Sequence, residues 1–323
     1  MPFDFLRLIW RWFTNLSLVA QLIVLVVALG LYAAWLHMPH NTGYDRARVV
    51  HSHGERRAPY GQGATQSADG SAANAPSTGP LPTAATNSAD CGDKLPFGAP
   101  VATNAPATAL GSVREVCRLG YAVGHSSQTK TPLWSAEHLV AGAIGGAEPR
   151  TNVFLEDTSL PAGERATLND YKRSGYDRGH MSPAGDFSRS AQEMAESFYL
   201  SNMVPQNGPL NRGPWAKLEG HVRETARSAG GLYVITGPVF QAGGYPTIGP
   251  GHVGVPQAIY KIVLDTAHGR MSAWLVPNDA VPEERLDGYC TSVDKVEQAT
   301  GLTFFPQLPA AQRATLKSMK CAF

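Results

Sequence analysis

Tyr176-Asp177-Arg178-Gly179-His180-Met181-Ser182-Pro183 places a carboxylate, a guanidinium, a glycine and an imidazole in consecutive positions. Downstream lies a second polar cluster, Asn211-Arg212-Gly213-Pro214-Trp215-Ala216-Lys217-Leu218-Glu219. An imidazole can act as general base near neutral pH. An amide oxygen with a carboxylate nearby can hold a hydrated hard cation. The two clusters carry the groups of one hydrolytic metal site.

Around the second cluster, Pro214 suits the first turn of a helix. Trp215, Leu218 and Val222 recur at helical spacing, so residues 211–227 are expected to form one amphipathic helix. Asn211 also has the side chain of a helix N-cap, a structural role compatible with the chemical one. Upstream, 193–199 reads as a short helix and 199–205 as a strand, while 119–123 and 132–139, separated by turn formers, read as a strand pair. Residues 231–237, 258–264 and 271–276 are strong strands, and 293–300 is a short helix closed by Gly301. Strands and helices interleave without a regular βαβ rhythm, which makes the class α+β. His125 and His138 read as ordinary loop and strand histidines.

The chain has 323 residues, 43% hydrophobic and only 16% charged, so part of it must be apolar or low in complexity. A formal net charge of +1 excludes binding of an anionic polymer through bulk basic character. Any phosphate contact must come from a local cluster. Lys172, Arg173, Arg212 and Lys217 flank the motifs and serve equally well as a positive groove or a solvated face.

Four segments follow from composition. Residues 1–15 form a short N-terminal stretch with Arg7 and Arg11. Residues 16–37 are apolar over the length that spans a bilayer, with Trp10, Trp12, Tyr32 and Trp35 near the ends, and read as an uncleaved transmembrane signal-anchor. A cleaved signal peptide is the rival reading. Residues 38–90 are a flexible low-complexity linker, in which His51 and His53 have no assigned role. The ordered domain is 91–323. Charge flanking the apolar span does not set its orientation, since Arg46, Arg48, Arg56 and Arg57 oppose Arg7 and Arg11. The four cysteines, Cys91, Cys117, Cys290 and Cys321, allow three pairings. Cys91–Cys117 with Cys290–Cys321 is preferred because each closes a local loop, and free thiols are the alternative. Disulfides place the domain on the periplasmic or extracytoplasmic side of the cell membrane.

The run 177–180 resembles the Asp-Arg-Gly-His signature of the DNA/RNA non-specific endonucleases, the ββα-metal nucleases of the Serratia nuclease and endonuclease G type. The likeness extends over Ser174 to His180, Leu200-Ser201-Asn202-Met203-Val204-Pro205-Gln206, and Asn211 with Trp215, Leu218 and Glu219, in family order. Later segments, Gly237-Pro238-Val239-Phe240, Val276-Pro277-Asn278 and 301–306, look like the family's core.

The resemblance implies a ββα-metal fold with a central antiparallel sheet and flanking helices. It implies cleavage of DNA and RNA to 5′-phosphate ends, with Mg²⁺ as cofactor and Mn²⁺ as the alternative ion. His180 matches the general base and Asn211 the single side chain that binds the metal. Glu219 matches the carboxylate that orients metal-bound water. Arg150 and Arg223 match contacts to the scissile phosphate, and Glu219 with Arg223 is also an i,i+4 pair on one helix face. Asp177 reads as scaffold, Arg178 as phosphate contact or scaffold, and Asn202 as hydrogen-bonding support. A membrane-tethered binding module for DNA uptake, without cleavage, is the second reading, and a small-substrate phosphatase a third. No protein inhibitor is identified.

Overall fold

The computed structural model describes residues 91–321. The signal-anchor expected at 16–37 and the linker expected at 38–90, with His51 and His53, lie outside the described residues. Among the described residues, no helix is long and apolar enough to cross a membrane.

Strands β1 (Val113–Cys117), β2 (Tyr121–Ser126) and β3 (Pro132–Val140) form a meander. A separate two-stranded ribbon, β4 (Asp177–His180) and β5 (Met203–Gln206), has helix α1 (Ala191–Ser197) between its strands in sequence. Helix α2 (Ala216–Ala229) follows, then β6 (Gly231–Val239), β7 (Ala258–Asp265), β8 (Arg270–Pro277) and β9 (Cys290–Thr291). Helices α3 (Val293–Thr300) and α4 (Ala310–Ser318) complete the domain. The main sheet has seven strands in the order β9-β8-β7-β6-β3-β2-β1. Every neighbouring pair is antiparallel.

Its central strands are covered on both faces, so they read as near-continuous apolar runs. Ala136, Ile235, Ile262 and Ala273 pair across the sheet and pack on one side with Val293, Val296 and Leu316 of α3 and α4. On the other side, Leu232, Val234, Ile259 and Val263 meet Trp215, Leu218, Val222 and Ala226. Leu218, Val222 and Ala226 form the buried stripe of α2, and each large one contributes about 2 kcal/mol by leaving water. Gly230, at φ 86°, closes the helix in the left-handed conformation that glycine adopts without Cβ strain. Disulfides join Cys91 to Cys117 and Cys290 to Cys321.

Two local expectations need correction. Residues 211–227 are not one helix. Asn211–Trp215 is a wide turn in which Gly213 leaves helical geometry, at φ −110° and ψ −108°, and α2 begins only at Ala216. Pro214 lacks the N–H that would bond back along a regular helix, and glycine accepts the distortion. Asn211 is therefore no N-cap; the cap is Asn207, whose Oδ1 accepts from the Leu210 N–H at 3.1 Å. The strand expected at 199–205 is only Met203–Gln206, preceded by a tight turn over Leu200–Asn202. The Asn202 side chain takes up nearby backbone groups that a ladder would otherwise use.

Candidate active site

The ribbon pairs Asp177 with Gln206 and His180 with Met203. Gly179 is required there: a Cβ at this position would lie 2.0 Å from Gln206 Oε1. Strand alternation puts Arg178 and His180 on one face, and both meet Phe154. The Arg178 guanidinium stands 4.2 Å from the Phe154 ring centre, and the His180 ring 5.8 Å from it. Phe198 meets His180 edge-on at 5.0 Å and carries the Arg150 guanidinium 5.0 Å from its centre. The imidazole is thus held between two phenylalanines, each bearing an arginine. His180 is 7% exposed and its Nε2 has no hydrogen-bond partner. Burial, helped by the Arg150 charge, lowers its pKa to about 3, so the ring is neutral at physiological pH.

Asp177 is tied to the other half of the site. It accepts from Asn211 Nδ2 at 2.9 Å and from Arg212 at 2.6 and 2.7 Å. With its nitrogen bound to Asp177, the Asn211 amide keeps its oxygen available. Glu219 sits two turns further along and is half-buried. Burial pushes its pKa up to about 7, against the downward pull of Lys261, Arg223 and Arg150.

Arg223 is the main departure from expectation. It does not pair with Glu219; it donates to Asp186 at 2.7 Å. Asp186 is 5% exposed, and a carboxylate stripped of water needs a charge partner far more than a partly solvated one does. Asn202 lies fully buried behind the ribbon. Its Oδ1 accepts from the Ser182 N–H and the Ser135 hydroxyl, and its Nδ2 donates to the Ser182 and Ser197 carbonyls. Arg150 also donates to Asn152 at 2.8 Å. Lys217 is engaged with Glu283 at 2.6 Å and does not line the cleft. His125 and His138 both stand in strands; the first meets the Glu164 carbonyl and the second stacks on Tyr233.

Arg150, Asp177, Arg178, His180, Asn211, Glu219 and Arg223 all line one cleft of about 480 Å³. Of the residues given a part in the site only Asn202 lies outside its walls; of the four flanking cations Arg212 lines the cleft, and Lys172, Arg173 and Lys217 do not. Phe154 and Asp186 were not among the candidates, and neither belongs to a periodic or clustered pattern that would have singled it out. The donor set suits a hard, hydrated cation: an amide oxygen and a carboxylate, with no thiol or second histidine. Cys91, Glu115 and Cys117 also converge, but both sulfurs are spent in the disulfide.

Fold and cleft together define a metal-dependent nuclease of the ββα-metal class. The chain belongs to the DNA/RNA non-specific endonuclease family, whose model matches residues 102–311. It is similar to Nuclease C1 of Cunninghamella echinulata var. echinulata, 36% identical over 212 residues, covering 59% of this chain and 82% of that protein. It is also similar to mitochondrial endonuclease G of Homo sapiens, 35% identical over 219 residues, covering 62% and 72%. Among solved structures it resembles an EndoG/EndoGI complex that describes EndoG inhibition. There the TM-score is 0.61 and the identity 32%, over 68% of this chain and 93% of that one.

Proposed function

We propose that the domain hydrolyses phosphodiester bonds of DNA and RNA with little regard to sequence and leaves 5′-phosphate ends. His180 takes the proton from the attacking water. Its neutral ring is ready to accept one, and an incoming phosphodiester anion offsets the Arg150 charge and raises its basicity. Asn211 would hold Mg²⁺, or Mn²⁺ as the alternative ion, through its amide oxygen, with water completing most of the shell. When bound, that ion supplies positive charge against the transition state and the departing 3′ oxygen. Glu219 accepts hydrogen bonds from waters of hydration and fixes their direction. Arg150 and Arg223 offset charge on the non-bridging oxygens. Asp177 holds Asn211, and Asn202 holds the turn that follows His180. Arg178, seated on Phe154, adds a contact to the nucleic-acid backbone. Contacts to phosphate rather than base edges carry no sequence information.

The single observation behind this reading is a buried imidazole with an unpartnered Nε2 sharing one cleft with an amide oxygen whose partner nitrogen is tied down. Membership of a nuclease family favours it over a DNA-uptake module that binds without cutting. We also propose that the domain works outside the cytoplasm, tethered by the segment at 16–37; two disulfides fit an oxidising compartment.

The test is incubation of the full-length protein with supercoiled plasmid and with RNA in Mg²⁺, followed by end-group analysis. Cleavage of both to 5′-phosphates, abolished by a chelator, is expected. Products with 5′-hydroxyl ends, or tight binding without cleavage in Mg²⁺ or Mn²⁺, would contradict it.

A further inference from the structure

Residues 150–157 bring Arg150 and Phe154 to the cleft, yet they form neither a helix nor a strand. The segment is an extended strip with a single β-bridge, Leu155 to Tyr199. The Leu155 N–H donates to the Phe198 carbonyl at 3.1 Å, and the Leu155 carbonyl accepts from the Leu200 N–H at 2.8 Å. In that register Phe154 meets Phe198 edge-on at 5.1 Å, and both rings flank His180. One bridge is a slight hold. Thr151, Asn152 and Val153 are exposed, so no buried apolar face fixes the register of the strip.

Within 150–157 only Asp157 is buried, and it is 0% exposed. Its carboxylate accepts four hydrogen bonds. Arg118 Nη2 donates to Oδ2 at 2.6 Å, and the Ser201 hydroxyl donates to the same oxygen at 2.5 Å. Oδ1 accepts from the Ser159 hydroxyl at 2.5 Å and from the Ser159 N–H at 3.1 Å. Arg118 stands in the turn between β1 and β2, where its N–H donates to the Tyr121 carbonyl at 2.8 Å. Its guanidinium lies 4.4 Å from the ring centre of Tyr199, the residue that bridges Leu155. Ser201 precedes Asn202, which holds the turn after His180. One carboxylate thus joins the main sheet, the strip and the support of the histidine.

An ion pair buried this deeply adds little net stability, because desolvation of both ions offsets their attraction. What it specifies is register. A slip of the strip by one residue would withdraw the carboxylate and leave Arg118, 3% exposed, buried without an anion.

We propose that Asp157 is a positioning residue for the reaction: with Arg118 and Ser201 it locks the strip against Tyr199, and so holds Phe154 beside His180 and Arg150 over Phe198. Asp157 does not line the cleft and acts through the two side chains that the strip carries. The inference rests on His180 and Arg150 taking part as described above.

The test measures plasmid nicking in Mg²⁺ by the full-length protein at matched folded concentration, with Asp157→Asn placed in two backgrounds. In the wild type, Asp157→Asn is expected to lower kcat about ten-fold while KM for DNA stays within about three-fold, the result of reacting groups held out of place. In an Arg150→Ala/Phe154→Leu background, which lacks what the strip presents, the same change is expected to cost less than about two-fold. Hydrogen exchange should quicken across 150–157 and stay unchanged in the main sheet. An equal loss in both backgrounds, or a folded Asp157→Asn with wild-type kcat, would overturn the proposal. Should Asp157→Asn fail to fold, Ser201→Ala carries the test, since it leaves the ion pair and removes one hydrogen bond. A fall in kcat confined to the wild-type background then supports the proposal, and unchanged kcat or an equal fall in both overturns it. Full activity in Arg150→Ala/Phe154→Leu sinks the reading of the site itself. An impaired background in which Asp157→Asn costs as much as in wild type sinks only this inference.

Discussion

Arg223 donates to Asp186 at 2.7 Å, although Glu219 lies one helical turn away on the same face of α2. The bridge anchors the arginine from below and leaves the Glu219 carboxylate free to face the cleft. An i,i+4 pair on an exposed helix is a small stabilising term; here the buried partner wins. Asp186→Asn strands Arg223 at a partly buried position. The expected cost is about 3 kcal/mol of stability, read by urea unfolding, together with a loss of nicking activity. A variant as stable and active as wild type would show the bridge to be incidental.

Glu219 makes stability and activity pull in opposite directions. Burial pushes its folded pKa up to about 7, above the ordinary carboxylate value of 4.5. A raised folded pKa means that its contribution to stability is present below the unfolded value and lost as pH rises through the folded one. Glu219→Gln should therefore have a higher melting temperature than wild type above neutral pH, a difference that shrinks on acidification, while its kcat falls. Equal melting temperatures at alkaline pH would show that the carboxyl is not held in an environment hostile to its charge.

Phe154 joins Arg178 to His180. Phe154→Leu keeps an apolar side chain but removes the ring face, a contact of about 1 kcal/mol to the arginine. The expected result is a KM for DNA raised several-fold and a smaller fall in kcat, since Phe198 still flanks the imidazole. Steady-state kinetics on plasmid would show this, and an unchanged KM would remove Arg178 from substrate contact.

Gly179 is a steric position within the ribbon. A Cβ there meets Gln206 at 2.0 Å from Oε1 and 2.5 Å from Cβ, and Gln206 is fully buried on the paired strand. Gly179→Ala should destabilise by about 2 kcal/mol through overpacking and displace His180, the next residue. Thermal unfolding and plasmid nicking should both fall, and a neutral substitution would mean that the ribbon yields easily.

Much of this was legible in the residues. The apolar runs at 231–237, 258–264 and 271–276 became the central strands, because strands buried on both faces need apolar side chains at nearly every position. The two polar clusters did converge in one cleft. What escaped has a common cause. The pairing of Arg223 with Asp186, the seating of Arg178 on Phe154 and the burial of Lys261 against Thr236 and Trp215 join residues far apart in the chain, where no period or spacing marks them. Lys261 stands inside an otherwise apolar strand run and reads there as a mere interruption. The turn at Asn211–Trp215 escaped for a local reason: helical spacing of apolar residues continues across Gly213 and Pro214, while the backbone does not.

The most direct test of the account is plasmid nicking in Mg²⁺ by wild type and His180→Ala at matched folded concentration. The wild type should convert supercoiled DNA to nicked and then fragmented forms, and chelator should stop it. His180→Ala should retain the fold and DNA binding and lose about a thousand-fold in rate. Cleavage by His180→Ala at the wild-type rate would contradict the assignment of the buried imidazole as the base.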